Sequence, residues 1–378
     1  MNESGSDYVL ELVLERVDSH ISLIRAAAVC RRWRRAIADA AFLRRYHSLH
    51  APAPPVAGYY CDFVGGRRSR VGPVFTPSSP SVVDARHFSL DFLPGGAASW
   101  TLRDSRGSLL LLRRVRFQFC GSELPDMVVC EPLTRRYRCI YPPADLDNSW
   151  YCLESYFIDG DADEAGGRIS LSNFRVLGMF NDREGDTHVA MYTVGSSWSE
   201  KNIDHITPSF NCSCLMGHGG GCWYFVQGRA LIILDGSTSD FSSSELPPLV
   251  EDWDSHALDR DFFITNGRDG KLRIFTVFDG TMKVFVRLEG GEWMLEKRVL
   301  LSEATRDLPG YKPSFFSTHQ FVHMVGAGYV ILSPMDDLWM FSINLETMEA
   351  APAVESMASW VYGCELPWPP TLHACLDG

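Results

Sequence analysis

The chain has 378 residues, a formal net charge of −12, 46% hydrophobic residues and eleven cysteines. The acidic excess argues against bulk binding to nucleic acid or to an anionic membrane, and no apolar run approaches the roughly twenty residues of a membrane-spanning helix. The cysteines are odd in number and scattered. They suit small buried apolar residues better than a disulfide framework. The opening Met1–Asp7 is polar with no apolar core after it, so a cytoplasmic and/or nuclear protein is expected.

Residues Tyr8 to Tyr46 carry three helical patterns. In the first, Val9, Leu12, Val13 and Val17 share one face at helical spacing, while Leu10 and Leu14 occupy the next. In the second, Leu23, Ile24, Ala27 and Ala28 repeat the spacing. In the third, Trp33, Ile37, Ala40 and Ala41 form the stripe, and Arg31, Arg32, Arg34, Arg35, Arg44 and Arg45 lie mostly off it. A unit this small is marginal by itself. Apolar residues on two faces of the first helix therefore call for a second covering surface, either the rest of the chain or a partner. With Val13 and Ile37 turned inward, Leu10 and Leu14 would face that second surface. Residues 1–50 hold eight Arg and six acidic residues, so the acidic excess lies entirely beyond them. The arginines read either as a solvated helix face or as a guide for an acidic partner.

This stretch resembles an F-box. Val13-Leu14-Glu15-Arg16-Val17 matches the end of that motif's first helix, Leu23-Ile24-Arg25 its second, and Val29-Cys30-Arg31-Arg32-Trp33 with Ile37 its third. The continuation Phe42-Leu43-Arg44-Arg45-Tyr46 is similar to that of large plant F-box families, grass members especially. Gly5-Ser6 stands where the motif has Leu-Pro, and Val17-Asp18-Ser19 replaces the Leu-Pro after the first helix. The resemblance implies a small all-α domain of three helices over residues 1–50. It also implies docking on the Skp-type adaptor of a cullin–RING (SCF-type) ubiquitin ligase. The implied adaptor contacts are Leu10, Leu14, Val17, Leu23, Ile24, Val29, Cys30 and Trp33.

The run Ala51-Pro52-Ala53-Pro54-Pro55 cannot continue a helix, because proline fixes φ and lacks an amide donor. It sets a linker over 51–57. From Gly58 to the end at 378, short β-branched and aromatic runs alternate with Gly, Pro, Asp and Ser, the pattern of many strands. Leu109–Leu112, Met127–Cys130 and Arg135–Tyr141 form one series. Phe174–Leu177, Val189–Tyr192 and Trp198 form a looser one. Trp223–Phe225, Ala230–Asp235 and Phe241 form a third; Leu272–Phe275, Met282–Val286 and Trp293–Leu295 a fourth; Tyr329–Leu332 and Leu338–Ile343 a fifth. A period of roughly 50–60 residues falls in the range of propeller repeats. Stacked four-stranded blades would cover sheet faces that no blade can bury alone. The expected fold is thus mainly β: a β-propeller of six blades, or seven, whose last blade the Tyr59–Phe63 strand completes. The layout also resembles F-box-associated propellers, where phrases like Asp104-Ser105-Arg106-Gly107 and Glu131-Pro132-Leu133-Thr134-Arg135 recur. A pair of β-sandwiches is the alternative, but nothing divides the β region in two.

Three motifs carry possible chemistry. His218-Gly219-Gly220-Gly221 is like an oxyanion loop, but Gly195-Ser196-Ser197-Trp198-Ser199 lacks the final glycine of a nucleophile elbow. Cys212, Cys214, His218 and Cys222 are zinc-type ligands, at a spacing unusual for zinc. Asp159, Asp161, Asp163 and Glu164 suggest a calcium loop, yet the sixth and twelfth loop positions are the wrong residues. The expectation is no catalytic residue, no cofactor and no metal. The chain reads as a substrate-recognition subunit: the F-box binds the adaptor and the propeller binds an unidentified protein substrate. The alternatives are a propeller interaction protein whose degenerate F-box no longer binds the adaptor, or a propeller small-molecule binder or enzyme.

Overall fold

The computed structural model describes residues 3–50, 56–62, 72–78, 83–115, 127–141, 143, 151–158, 169–181, 187–201, 214–227, 230–245, 262–267, 269–289, 291–317, 320–326, 328–334, 337, 339–353 and 361–366. The first of these blocks is helical: α1 (Glu3–Leu14), α2 (His20–Val29), α3 (Arg31–Ala38) and α4 (Ala40–Leu49). The third sequence pattern therefore splits in two. Asp39 is extended, and its carboxylate accepts the N–H groups of Ala41 and Phe42, each at 2.9 Å. It is an N-cap, and a cap starts a new helix where a continuous stripe would have run on. Trp33 and Ile37 thus belong to α3, Ala40 and Ala41 to α4.

The helices close on a core of Leu14, Leu23, Ala27, Ile37, Phe42 and Tyr46. The Tyr46 hydroxyl donates to the Val17 carbonyl at 2.8 Å. Arg45 pairs with Glu11 at 2.6 Å and Glu15 at 2.5 Å. These contacts bind α4 to α1 and to the turn that follows it. Arg34, buried despite its charge, donates from Nε to the Ala27 carbonyl at 3.1 Å.

The rest of the described chain is mainly strands. After β1 (Val56–Asp62) and β2 (Pro73–Pro77), antiparallel meanders follow one another. The first contains β3 (Trp100–Arg106), β4 (Leu109–Arg114), β5 (Met127–Glu131) and β6 (Arg136–Ile140). The second contains β7 (Tyr151–Ile158), β8 (Arg175–Asn181), β9 (Thr187–Thr193) and β10 (Trp198–Lys201). The third contains β11 (Cys214–Gly219), β12 (Cys222–Gln227), β13 (Ala230–Asp235) and β14 (Phe241–Glu245). The fourth contains β15 (Phe262–Asn266), β16 (Leu272–Phe278), β17 (Thr281–Arg287) and β18 (Trp293–Leu300). The fifth contains β19 (Gln320–Gly326), β20 (Tyr329–Pro334), β21 (Phe341–Asn344) and β22 (Ala350–Pro352).

The last strand, β23 (Val361–Glu365), returns to β1, with Tyr362 opposite Tyr60. One sheet, β2-β1-β23, is thus built from both ends of the β region. Val56 and Ala57 already belong to β1, so the strand begins inside the expected linker, and Ala51–Pro55 lie outside the described residues.

The strand sequences follow from burial on both faces. In β4, Leu109 and Leu111 face the second meander, while Leu110 and Leu112 face the end sheet. In β12, Trp223 and Phe225 face the second meander, and Tyr224 and Val226 face the fourth. Alternation by two with apolar residues on both sides produces the continuous runs seen in the sequence. Successive sheets share apolar clusters in order. The end sheet meets the first meander around Tyr60 and Leu102, and each meander meets the next. The fifth meander meets the end sheet again around Cys61, Ile331, Met340 and Val361. The third and fourth meanders also join edge to edge at a parallel contact between Gly217 and Ile264. A Cβ on Gly217 would lie 1.9 Å from the Ile264 carbonyl oxygen, so only glycine fits there.

A turn motif recurs between the third and fourth strands of three meanders. Glu131, Asp235 and Asn344 start it; Thr134, Thr238 and Thr347 stand three residues on; Arg135, Ser239 and Met348 then take φ values of 58°, 61° and 63°. The Asp235 side chain accepts from the N–H groups of Ser237 and Thr238, and the Asn344 side chain from those of Glu346 and Thr347. A short acceptor that folds the next N–H groups back on itself makes this turn locally determined.

Candidate interaction surface

The helical module is fixed to the sheets by α2. Its Leu23 and Ala27 enter the module core, but Ile21 and Ile24 join Phe88, Leu90 and Leu133 in the cluster beneath the end sheet and first meander. Arg25 adds a polar tie, with its Nη1 2.8 Å from His87 Nδ1. Burial, with the Arg25 charge next in size, pushes the His87 pKa down. Beside this contact, Glu131 is buried and accepts from Ser108 at 2.9 Å and from Thr134 at 2.6 Å. Its burial outweighs those donors and raises its pKa.

α1 is different. Its inner face carries Leu10, Glu11 and Leu14, and with Glu15 just beyond its end it is held by α4. Its outer face carries Tyr8 (64% exposed), Val9 (58%), Leu12 (38%) and Val13 (59%). The expected assignment of Val13 to the interior and Leu14 to the outside is therefore reversed. The reason is α4: with its Arg45 reaching Glu11 and Glu15, the face one step round from Val13 becomes the inner one. Ile37 is in the core as expected.

Of the eight residues implied as adaptor contacts, Leu14 and Leu23 fill the module core and Ile24 lies under the sheets. Leu10, Val17 and Trp33 are half-buried against the core. Val29 (67% exposed) and Cys30 remain on the surface, where α2 gives way to α3. Tyr8 and Leu12, absent from that set, are more exposed than most of it; the spacing of Leu12 four residues after Tyr8 and three after Val9 was the signal. Arg31 and Arg35, one turn apart on α3, are exposed and have no acidic partner among the described residues. The helical module thus exposes apolar side chains on α1 and positive charge on α3.

The described parts of the chemical motifs are not brought together into a site. Cys212 and the 159–164 stretch lie outside the described residues. His218 is exposed and Cys222 half-buried, on facing strands of one hairpin. Gly195–Ser199 spans the turn into β10. Among the described residues, no three His, Cys, Asp or Glu side chains are grouped to hold a metal ion, and no helix is long and apolar enough to cross a membrane. A cleft of about 340 Å³ between the end sheet and the fifth meander is lined by Tyr59, Cys61, Tyr329, Ile331, Met340 and Val361 among others.

No family model matches the chain, and no curated protein matches it. Solved structures do resemble it. A Bacteroides caccae protein of unknown function aligns with a TM-score of 0.38 and 8% identity, over 82% of this chain and 99% of that one. The Cps50 (Swd1) β-propeller domain of Myceliophteria thermophila aligns at 0.31 and 8%, over 69% and 71%. The dihydro-heme d1 dehydrogenase NirN aligns at 0.36 and 11%, over 80% and 64%.

Proposed function

We propose that this chain is a non-catalytic substrate receptor of a cullin–RING ubiquitin ligase, with an F-box module on a six-bladed propeller. The end sheet and the meanders supply the blades, and their cyclic order of shared clusters supports the ring. The observation that carries the functional reading is the outer face of α1. A module that spends most of its other apolar residues on its own core and on the sheets still leaves Tyr8, Val9, Leu12 and Val13 together in water. Clustered exposed apolar residues of this kind are what an interface covers. The partner is a Skp-type adaptor, met by this face with Val29 and Cys30. The positive charge of Arg31 and Arg35 favours an acidic adaptor surface.

Rigid attachment through Ile21 and Ile24 gives the receptor its mechanism. A substrate on the propeller is held at a fixed distance from the ligase, so its lysine meets the activated thioester at high effective concentration. The test is co-purification of the full chain with Skp-type adaptors of its own source. A stable complex is expected in size-exclusion chromatography. Separate elution from every adaptor would leave the alternative, a propeller interaction protein with a degenerate F-box.

A further inference from the structure

The seam between the first and second meanders is apolar along most of its length, around Leu109, Leu111, Val129, Phe157 and Val176. Where β7 begins, two arginines enter it. Arg113 follows Leu111 on the same face of β4 and crosses to β7. There its Nη1 donates to the carbonyl oxygens of Cys152 and Leu153, the latter at 2.9 Å. Burial, and after it the charge of Arg103, pushes the Arg113 pKa down. Arg103 stands in a β-bulge between Leu102 and Asp104, a device that re-aims side chains. Its Nη1 is 3.8 Å from the Glu154 carboxylate, beyond hydrogen-bond distance, and Glu154 is 41% exposed.

On the facing strands β3 and β7, two buried polar atoms are orphaned. Arg103 Nε is buried with no hydrogen-bond partner among the described residues. So is Ser155 Oγ, on a residue that is 0% exposed and that strand alternation places on the Phe157 side, facing the first meander. The other nearby carboxylate, Asp104, already accepts the N–H groups of Phe157 and Ser105, each at 2.7 Å. Two guanidinium groups therefore flank residues 152–154 with one exposed carboxylate between them. Buried donors without acceptors call for an explanation, and a bound anion supplies one.

We propose that this end of the seam binds a compact oxyanion, phosphate fitting best, between Arg103 and Arg113. Two guanidinium forks on adjacent strands suit the several oxygens of a tetrahedral phosphate, whereas one fork alone saturates a planar carboxylate. The site lies away from the helical module. α2 rests by Leu133, beyond the Glu131 end of β5. Arg113 pairs with Thr101 and Met127, at the opposite end of the meander. A phosphorylated side chain of a bound protein and free phosphate are the two sources of such a group. The site stands whether or not the helical module binds an adaptor.

Calorimetry on the full chain tests it with three probes: inorganic phosphate, a capped phosphoseryl-glycine peptide, and the same peptide unphosphorylated. Wild-type protein is expected to bind the phosphorylated probes and not the plain peptide. Arg103→Gln is expected to weaken that binding at least about tenfold, with an unchanged thermal transition, since Arg103 makes no hydrogen bond among the described residues. Arg44→Gln, an exposed charge on α4, is expected to change nothing. Arg113→Gln also removes a cross-sheet donor, so Arg103→Gln carries the test. Tighter binding of the phosphopeptide than of phosphate points to a protein-borne group; equal binding points to free phosphate. No heat with either phosphorylated probe at millimolar concentration overturns the site. So does an equal loss in Arg103→Gln and Arg44→Gln.

Discussion

α1 and α2 have similar apolar content and opposite fates. α2 is consumed on both sides: Leu23 and Ala27 by the module, Ile21 and Ile24 by the sheets. α1 is consumed on one side only, and Val9 and Val13 stay in water. Two apolar faces therefore do not fix where a helix is covered: which face the chain itself buries depends on elements far away in sequence. Here the sheets take the second face of α2, and the second face of α1 stays exposed.

The largest expected effect comes from breaking the α2 side. Ile24→Asp would bury a charge without a partner between module and sheets. It should cost about 3 kcal/mol or more, read as a lower thermal midpoint and rapid hydrogen exchange in α2. An unchanged midpoint would mean that the module is not seated on the sheets.

Next is the contrast across α1. Leu14→Ala removes a core side chain and should cost about 2–5 kcal/mol, whereas Val13→Ala should stay within about 0.5 kcal/mol of wild type. Chemical denaturation of the two variants checks this, and equal costs would erase the distinction between the faces.

A smaller effect concerns pH. Burial raises the Glu131 pKa above its ordinary value of 4.5. The folded state therefore binds the proton more tightly than the unfolded one. The stability this contributes is complete below the ordinary carboxylate range and is lost as pH rises through the raised value. Thermal midpoints of Glu131→Gln should fall less than those of wild type over that window; parallel curves would place the Glu131 carboxylate in water.

The smallest effect lies at His87, whose pKa is depressed. Its contribution is present above the ordinary histidine value and is lost as pH falls through the lowered one. Mild acid should loosen α2 exchange in wild type but not in His87→Gln.

Much of the β region was legible because doubly buried strands write themselves as runs. Leu109–Leu112, Ala230–Asp235 and Met282–Val286 were all readable as strands. The opening strands of most meanders were not. β3, β7, β11 and β19 each carry a bulge, at Leu102/Asp104, Cys152/Glu154, Leu215/Gly217 and Val322/Met324. One extra residue shifts the alternation halfway along the strand and hides it. In the helices, the stripes were legible but their directions were not. The Asp39 cap broke the third pattern, and the resulting α4 decided which side of α1 turned inward. The fate of Ile24 depended on Phe88 and Leu133, far along the chain.

The claim that α1 presents its outer face to a Skp-type adaptor is tested most directly by affinity. Calorimetry should compare wild type with the Val9→Asp, Val13→Asp double variant, with thermal unfolding run in parallel. Both sites are more than half exposed, so the double variant should unfold as wild type does. Two charges in an apolar contact should weaken adaptor binding by more than about tenfold. Equal binding by wild type and the double variant, with both folded, would contradict the assignment of this face.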